Sequence, residues 1–328
     1  FFCRLAAGGA SKSLTRGEVA SAMCDGIRQP SEAASSAPPQ EDRGRLARAL
    51  VEAVNTHAIG GAFELPSEVR LSESGAPFTR ALVLSRGRLS TRLLLSYDDS
   101  PEGAAEFDLR RHDLTSEAAA MHILRLINAC WRRQGLSFQG IPLSAQTYAV
   151  EPLTPGVGLV EVVPDTVSLG QLKRTFTRSD VAHRVGAHLG FDSDKLQRLA
   201  ASAAAFLASN YILGAAAGDC DNVMLTSNGL LFRVDFGHLA GRQPTVAGLV
   251  PFDAPVVWLP RAVTVALGAL WPEVQQATLS AFQVVASVFA PGPPPVLPQD
   301  REAFSEWAQV QVSLLLLERG LDLPVERY

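Results

Sequence analysis

Leu231-Phe232-Arg233-Val234-Asp235-Phe236-Gly237-His238 is the stretch on which the reading of this chain turns. A short run of strand-forming residues leads into an Asp, and an aromatic and a glycine follow it. Upstream, Asp221-Asn222-Val223-Met224-Leu225 contains a second short apolar run. Ser227-Asn228-Gly229 lies between the two runs and has turn chemistry, so the spacing predicts a hairpin. Asn222 stands thirteen residues before Asp235, across that hairpin. A carboxylate and a carboxamide are hard oxygen ligands of the kind that hold Mg²⁺.

Working outward, Leu196 to Leu213 is Ala-rich and apolar at helical spacing, which predicts a buried helix. The chain from 260 onward reads as helices interrupted by Pro291-Gly292-Pro293-Pro294-Pro295. Before the hairpin the pattern differs. Arg80 to Leu84 and Thr91 to Leu95 have strand length and are bounded by Gly, Ser and Asp. Ala118, Met121, Ile123, Leu124, Ile127 and Trp131 predict a helix over 114–133. Gln146 to Val150 and Gly158 to Val163 read as two further strands. Residues 28–46 mix Pro, Ser, Ala, Gln and charge, as a linker does. The residues before it are expected to be poorly ordered, and a short helix is expected from Gly44 to Ala58. The organisation expected is therefore an N-terminal segment and linker over 1–46, a strand-rich lobe with one long helix over 47–160, and a mainly helical lobe over 161–328. That is an α+β, bilobal arrangement.

Composition excludes several function classes. The chain has 328 residues, 47% of them hydrophobic, which is enough for a large bilobal domain. A formal net charge of −4 argues against nucleic acid as a partner and gives no general attraction to anionic membrane. Cys3, Cys24, Cys130 and Cys220 form no metal-ligand spacing and read as free thiols of a reducing, cytoplasmic compartment. No apolar run approaches the ~18 residues needed to span a bilayer. Because the first residue is Phe1 and not Met, the chain reads as a fragment or a processed product.

Phosphoryl transfer from ATP in kinases uses an Asp of a D-F-G segment and a catalytic-loop Asn for Mg²⁺, an Asp base shortly before that Asn, and a strand Lys on the phosphates. Asp235-Phe236-Gly237 and Asn222 supply the first two. Tyr211-Ile212-Leu213-Gly214, Asp221-Asn222-Val223-Met224-Leu225-Thr226 and Leu231 to His238 resemble the Y-I-L-G, D-R-H-x-x-N and F-H-I-D-F-G-H core of the phosphoinositide 3-/4-kinase catalytic domain. Gly158 to Val163 is similar to that family's hinge. Trp131, Gly135-Leu136, Ile141-Pro142 and Val250-Pro251-Phe252 extend the likeness, which covers about residues 64–320. The resemblance implies a protein-kinase-like fold, ATP and Mg²⁺ as cofactors, and phosphatidylinositol at a membrane surface as the acceptor, with a peripheral place on endomembranes. It further implies adenine paired by the hinge, Glu161, Val162 and Val163, and Mg²⁺ held by Asn222 and Asp235.

The departures from that pattern bear on activity. Five residues before Asn222 stands Ala217, which cannot accept a proton. Asp219 takes the base position only if the loop shifts by two residues. Counting eight residues back from Glu117, the acidic partner, the phosphate lysine falls on Leu109; Arg110 and Arg111 adjoin it. Arg is an imperfect substitute for a compact ammonium. In the phosphate loop, Leu71 to Phe78, Gly75 replaces the lysine, leaving Ser72 and Ser74 to offer hydroxyls. The segment from Leu239 to Val250 carries a single cation, Arg242. Several readings stand side by side: a nucleotide-binding pseudokinase or impaired enzyme, a working phosphoinositide kinase, a scaffold or decayed fragment, and a protein-serine kinase of the target-of-rapamycin group. His238 weighs against the last.

Overall fold

The computed structural model describes residues 40–70, 77–88, 90–96, 104–174, 181–215, 220–237, 239, 245–246, 250–251 and 259–289. In chain order the elements begin with α1 (Gln40–Thr56), β1 (Ala62–Arg70), β2 (Pro77–Arg86), β3 (Ser90–Ser96), β4 (Ala105–Arg110) and α2 (Thr115–Arg133). There follow β5 (Ser137–Phe138), β6 (Ile141–Pro142), β7 (Val150–Thr154), β8 (Val157–Glu161), β9 (Thr166–Ser168), α3 (Leu169–Arg174), α4 (Val181–His188) and α5 (Ser193–Leu213). A 3₁₀ turn (Cys220–Asn222) precedes β10 (Val223–Thr226), β11 (Leu231–Arg233), β12 (Thr245–Val246), β13 (Val250–Pro251), α6 (Arg261–Leu267) and α7 (Trp271–Phe289). Helices and antiparallel sheet thus coexist, as the α+β expectation required. The chain divides into two compact units, and the division falls inside α2 and again on either side of Tyr148–Pro164.

The first unit holds the described residues up to His122 together with Tyr148–Pro164. Its sheet has six strands in the order β1-β2-β3-β4-β8-β7, every pair antiparallel. Period-two patterning drives it. Leu93 and Leu95 of β3 and Phe107 and Leu109 of β4 point to one face and are at most 2% exposed. That face packs on Leu46, Leu50 and Val54 of α1. One helix about 10 Å across touches both edge strands, so the sheet must curl around it. Register shifts at Glu64/Val69, Val83/Ser85 and Pro152/Thr154 supply the bends. Arg43 of α1 reaches Glu151 of β7 at 3.1 Å and fastens the helix to one edge.

Two boundaries differ from the sequence reading. Residues 40–46, read as the end of a linker, form the first turns of α1, where Leu46 and Ala47 are buried. Apolar burial won over a composition that looked like linker. The strand expected over Gln146 to Val150 begins only at Val150. Asn128 bonds both the N–H and the carbonyl of Ala145 at 2.8 Å just before that stretch, and the Ala149 N–H goes to the Glu161 carboxylate at 2.7 Å and not to a backbone carbonyl. Pro152 is tolerated in β7 because β7 is an edge strand.

The second unit holds Ile123–Thr147 and the described residues from Asp165 onward. α5 is its axis. Asp192 caps the helix by accepting from the N–H groups of Asp194 and Lys195, and Gly214 closes it at φ 57°. Every residue from Leu199 to Asn210 is buried. The alanines of that run let α7 and β11 approach closely. Trp131, at 0% exposed, donates its indole N–H to the Ala281 carbonyl of α7 at 2.9 Å. β9, β10 and β11 form a three-stranded antiparallel sheet with β10 central.

Candidate functional site

The expected site residues that the structure describes fall into two groups, one in each unit. In the first unit, β4 ends at Arg110, and the pleat puts Arg110 on the face opposite Leu109. Leu109 is 1% exposed and belongs to the α1 core. The position reached by counting back from Glu117 is therefore a packing position, which a charged phosphate ligand would not occupy. Arg110 is the cation that reaches the acid: its Nη1 lies 3.4 Å from Glu117 Oε2. The Tyr148 hydroxyl donates to Glu117 Oε1 at 2.7 Å. Glu117, buried in the first turn of α2, thus has an arginine on one oxygen and a phenol on the other. The Phe107-x-Leu109 alternation in the sequence was the signal that could have separated the two neighbours. Tyr148 left no comparable signal.

The surroundings keep Arg110 in place. Arg110 lies opposite Gly158 across the β4–β8 ladder. A Cβ at Gly158 would come within 2.6 Å of a Leu114 methyl and 2.7 Å of the Glu151 carbonyl, so this position requires glycine. Asp113 accepts from the N–H and hydroxyl of Thr115 at 2.9 and 2.6 Å, which fixes the turn into α2 and holds its carboxyl below the usual range.

At the end of β8, Glu161 donates its N–H to the Ala149 carbonyl at 2.8 Å and accepts the Ala149 N–H on its carboxylate at 2.7 Å. The Val162 N–H goes to the Glu106 carbonyl at 2.8 Å. The Glu161 and Val162 N–H groups are therefore committed to the fold. Of the three positions expected from the sequence, Val162 has its N–H taken by Glu106, and pairing with an adenine edge would draw on the Glu161 carbonyl and the Val163 backbone. Ser72 and Ser74 lie outside the described residues.

In the second unit, the hairpin forms as the turn chemistry predicted. Val223 pairs with Arg233 and Leu225 with Leu231. Gly229 sits in the turn at φ 87°, and a Cβ there would meet the Lys195 carbonyl of α5 at 2.3 Å. Ser202 of α5 donates its hydroxyl to the Leu231 carbonyl at 3.1 Å and accepts the Leu231 N–H at 2.8 Å. The strand leading to Asp235 is thereby fixed to the buried helix. The last ladder bond runs from the Val234 N–H to the Asn222 carbonyl at 2.9 Å. Asn222 and Asp235, thirteen residues apart in sequence, therefore come together at the open end of the hairpin.

Asp235 is exposed and adopts φ 68°, the left-handed region that Asp tolerates better than most residues. Three contacts hold it there. Arg233 Nε donates to the Asp235 carbonyl at 3.2 Å, the Gly237 N–H donates to Asp235 Oδ1 at 3.2 Å, and Phe236, 2% exposed, anchors the next residue. The Arg233 guanidinium lies over the Phe236 ring, 5.8 Å from its centroid. Among the described residues no cluster of three or more His, Cys, Asp and Glu could hold a metal ion by itself. One exposed carboxylate beside one carboxamide suits a cation that brings ligands of its own, as Mg²⁺ does with phosphates and water.

Next to Asn222, Asp221 is held by an arginine and a serine. Arg174 Nη1 and Nη2 lie 2.7 and 2.9 Å from its two oxygens, and the Ser168 hydroxyl lies 3.2 Å from Oδ1. The Arg174 guanidinium holds this carboxyl well below its ordinary value. Nothing in the sequence linked Arg174 to Asp221, which stand 47 residues apart. Asp219, Ala217 and His238 lie outside the described residues. Among the described residues no helix is long and apolar enough to cross a membrane.

No protein-family profile matches the chain. Curated relatives do. Phosphatidylinositol 3-kinase 3 of Dictyostelium discoideum is 28% identical over 163 residues, which is 47% of this chain and 9% of that protein. The phosphatidylinositol 3-kinase C2 domain-containing subunit gamma of Mus musculus is 28% identical over 158 residues, 44% of this chain and 10% of that protein. Phosphatidylinositol 3-kinase 1 of Dictyostelium discoideum is 23% identical over 210 residues, 60% of this chain and 13% of that protein. The chain thus spans only 9–13% of the length of these relatives. Distant as they are, they support a relationship to the phosphatidylinositol 3-kinase family.

Proposed function

We propose that this chain is a phosphatidylinositol 3-kinase-type domain of bilobal, protein-kinase-like fold that binds ATP with Mg²⁺ and is impaired in phosphoryl transfer. The observation that carries the reading is the hairpin that brings Asn222 beside Asp235. These two residues would hold Mg²⁺. When bound, the ion would neutralise charge on the phosphate oxygens. Glu161 and Val163 would pair with adenine through the backbone. Arg110, oriented by Glu117 and through it by Tyr148, would offer its guanidinium to a phosphate. A planar fork can hold phosphate by two bonds, yet it lacks the compact reach of an ammonium. Ser72 and Ser74 would add hydroxyls.

Impairment follows from Ala217. With no carboxylate five residues before Asn222, the acceptor hydroxyl has no base unless Asp219 supplies one. Loss of a member of a catalytic unit typically costs several orders of magnitude in rate. The acceptor in the family reaction would be the inositol ring of phosphatidylinositol at a membrane surface, for which a single loop cation, Arg242, makes the unphosphorylated headgroup the fitting form.

Thermal unfolding with ATP and Mg²⁺ tests the binding. Ligand at a hundred times its dissociation constant adds about 2.7 kcal/mol of stability. An unmoved midpoint at millimolar ATP and Mg²⁺ would sink the proposal. Phosphate transfer to phosphatidylinositol vesicles is expected to be no faster than in Asp235→Ala. Turnover above that control would show a working kinase, with Asp219 as the first candidate for its base.

A further inference from the structure

The engagement of Asp221 has a purpose that the cation reading leaves unexplained. Four residues are arranged around this one half-exposed carboxylate. Arg174 grips both oxygens from the last turn of α3. Ser168 contributes its hydroxyl to Oδ1 and, at the same time, accepts the Gln171 N–H at 3.0 Å, which starts α3. Gly170 has no side chain where Asp221 sits: a Cβ there would lie 2.1 Å from Asp221 Oδ1. Arg184 of α4, 3% exposed, donates to the Leu172 and Lys173 carbonyls at 2.6 and 3.3 Å, which holds the end of α3 from which Arg174 extends.

Stability does not account for this arrangement. The side chains of Arg174 and Asp221 are 65% and 40% exposed. Ion pairs so exposed contribute about 0–1 kcal/mol. Both oxygens of Asp221 are turned to Arg174. What the pair does fix is the 3₁₀ turn Cys220–Asn222, whose next side chain is Asn222.

We infer that Arg174, Ser168 and Gly170 form a latch on Asp221 that positions Asn222 for the cation. Arg174 is thus a positioning residue, acting through Asp221 and touching no ligand. The inference rests on the reading of Asn222 and Asp235 as the cation site. A bidentate fork fixes direction as well as distance, so a lysine at 174 would keep the charge and lose the register.

The test uses the full chain and two readouts. The first is hydrogen exchange at the amides of residues 221–224 without nucleotide. The second is the Mg²⁺ concentration that half-saturates binding of N-methylanthraniloyl-ATP. Arg174→Ala and Asp221→Asn are each expected to speed the exchange about fivefold and to raise the Mg²⁺ requirement about fivefold, the range open to an exposed pair. Arg174→Lys is expected to recover neither fully. Lys173→Ala, which removes an equal charge from the same helix, is expected to change neither. Unaltered exchange in Arg174→Ala overturns the latch. So does a lower Mg²⁺ requirement in that variant, which would show Asp221 freed to act as a ligand. Mg²⁺-dependent binding that Asp235→Ala abolishes and Arg174→Ala leaves intact overturns the latch alone. A wild-type chain with no Mg²⁺-dependent binding overturns the cation site and the latch together.

Discussion

Glu117 and Asp221 are both carboxylates held by an arginine, yet they lie in opposite surroundings. The Glu117 side chain is 4% exposed, and its arginine stands at a 3.4 Å approach with a tyrosine hydroxyl on the other oxygen. The Asp221 side chain is 40% exposed and gripped by two short bonds. Geometry alone would rank the second pair as the stronger. Dielectric reverses the ranking. A buried carboxylate that loses its partner stays desolvated and uncompensated, whereas an exposed one turns to water. The first pair is therefore bound up with folding of its unit, and the second is left free to serve position.

The sharpest way to break this contrast is Arg110→Ala, which takes the guanidinium from the buried Glu117. It is expected to destabilise by about 3 kcal/mol, read by urea denaturation followed by circular dichroism. A loss below that of Arg174→Ala would refute the dielectric argument. Tyr148→Phe removes the hydroxyl that donates to Glu117 and should cost about 1–3 kcal/mol in the same measurement. Gly170→Ala pushes a methyl into Asp221. Its cost of about 1–3 kcal/mol should come with a Mg²⁺ requirement raised as in Arg174→Ala, because the carboxylate must move away. Arg174→Ala should lower stability least, by about 1 kcal/mol or less, and addition of 1 M NaCl to the wild type should erase most of the difference.

The legible parts of the molecule share one property: each is set by neighbours close in sequence. The β10–β11 hairpin follows from Asn228-Gly229 and two apolar runs, and α5 from an uninterrupted alanine-rich period. Asn222 and Asp235 come together because a hairpin is local. Where the reading slipped, the deciding partner was remote. At Glu117 the sequence left the cation open, with the lysine position lost at Leu109 and Arg110 and Arg111 beside it; Leu109 lies on the face that α1 covers, and Arg110 meets the acid. The expected linker over 28–46 ended early because Leu46 and Ala47 find a sheet to pack on. The strand starts only at Val150 because the Glu161 carboxylate, a side chain of another strand, takes the Ala149 N–H.

The sequence by itself determined the α+β class and the hairpin that brings Asn222 and Asp235 together, since these depend on residue identity and short-range periodicity. Only the tertiary structure decided that Arg110 and not Leu109 meets Glu117, that Tyr148 completes that pair, and that Arg174 closes on Asp221. These are contacts across 7, 31 and 47 residues of chain. Burial, which sets how strongly a charge needs its partner, is a property of the packed chain and is written in no single segment of it.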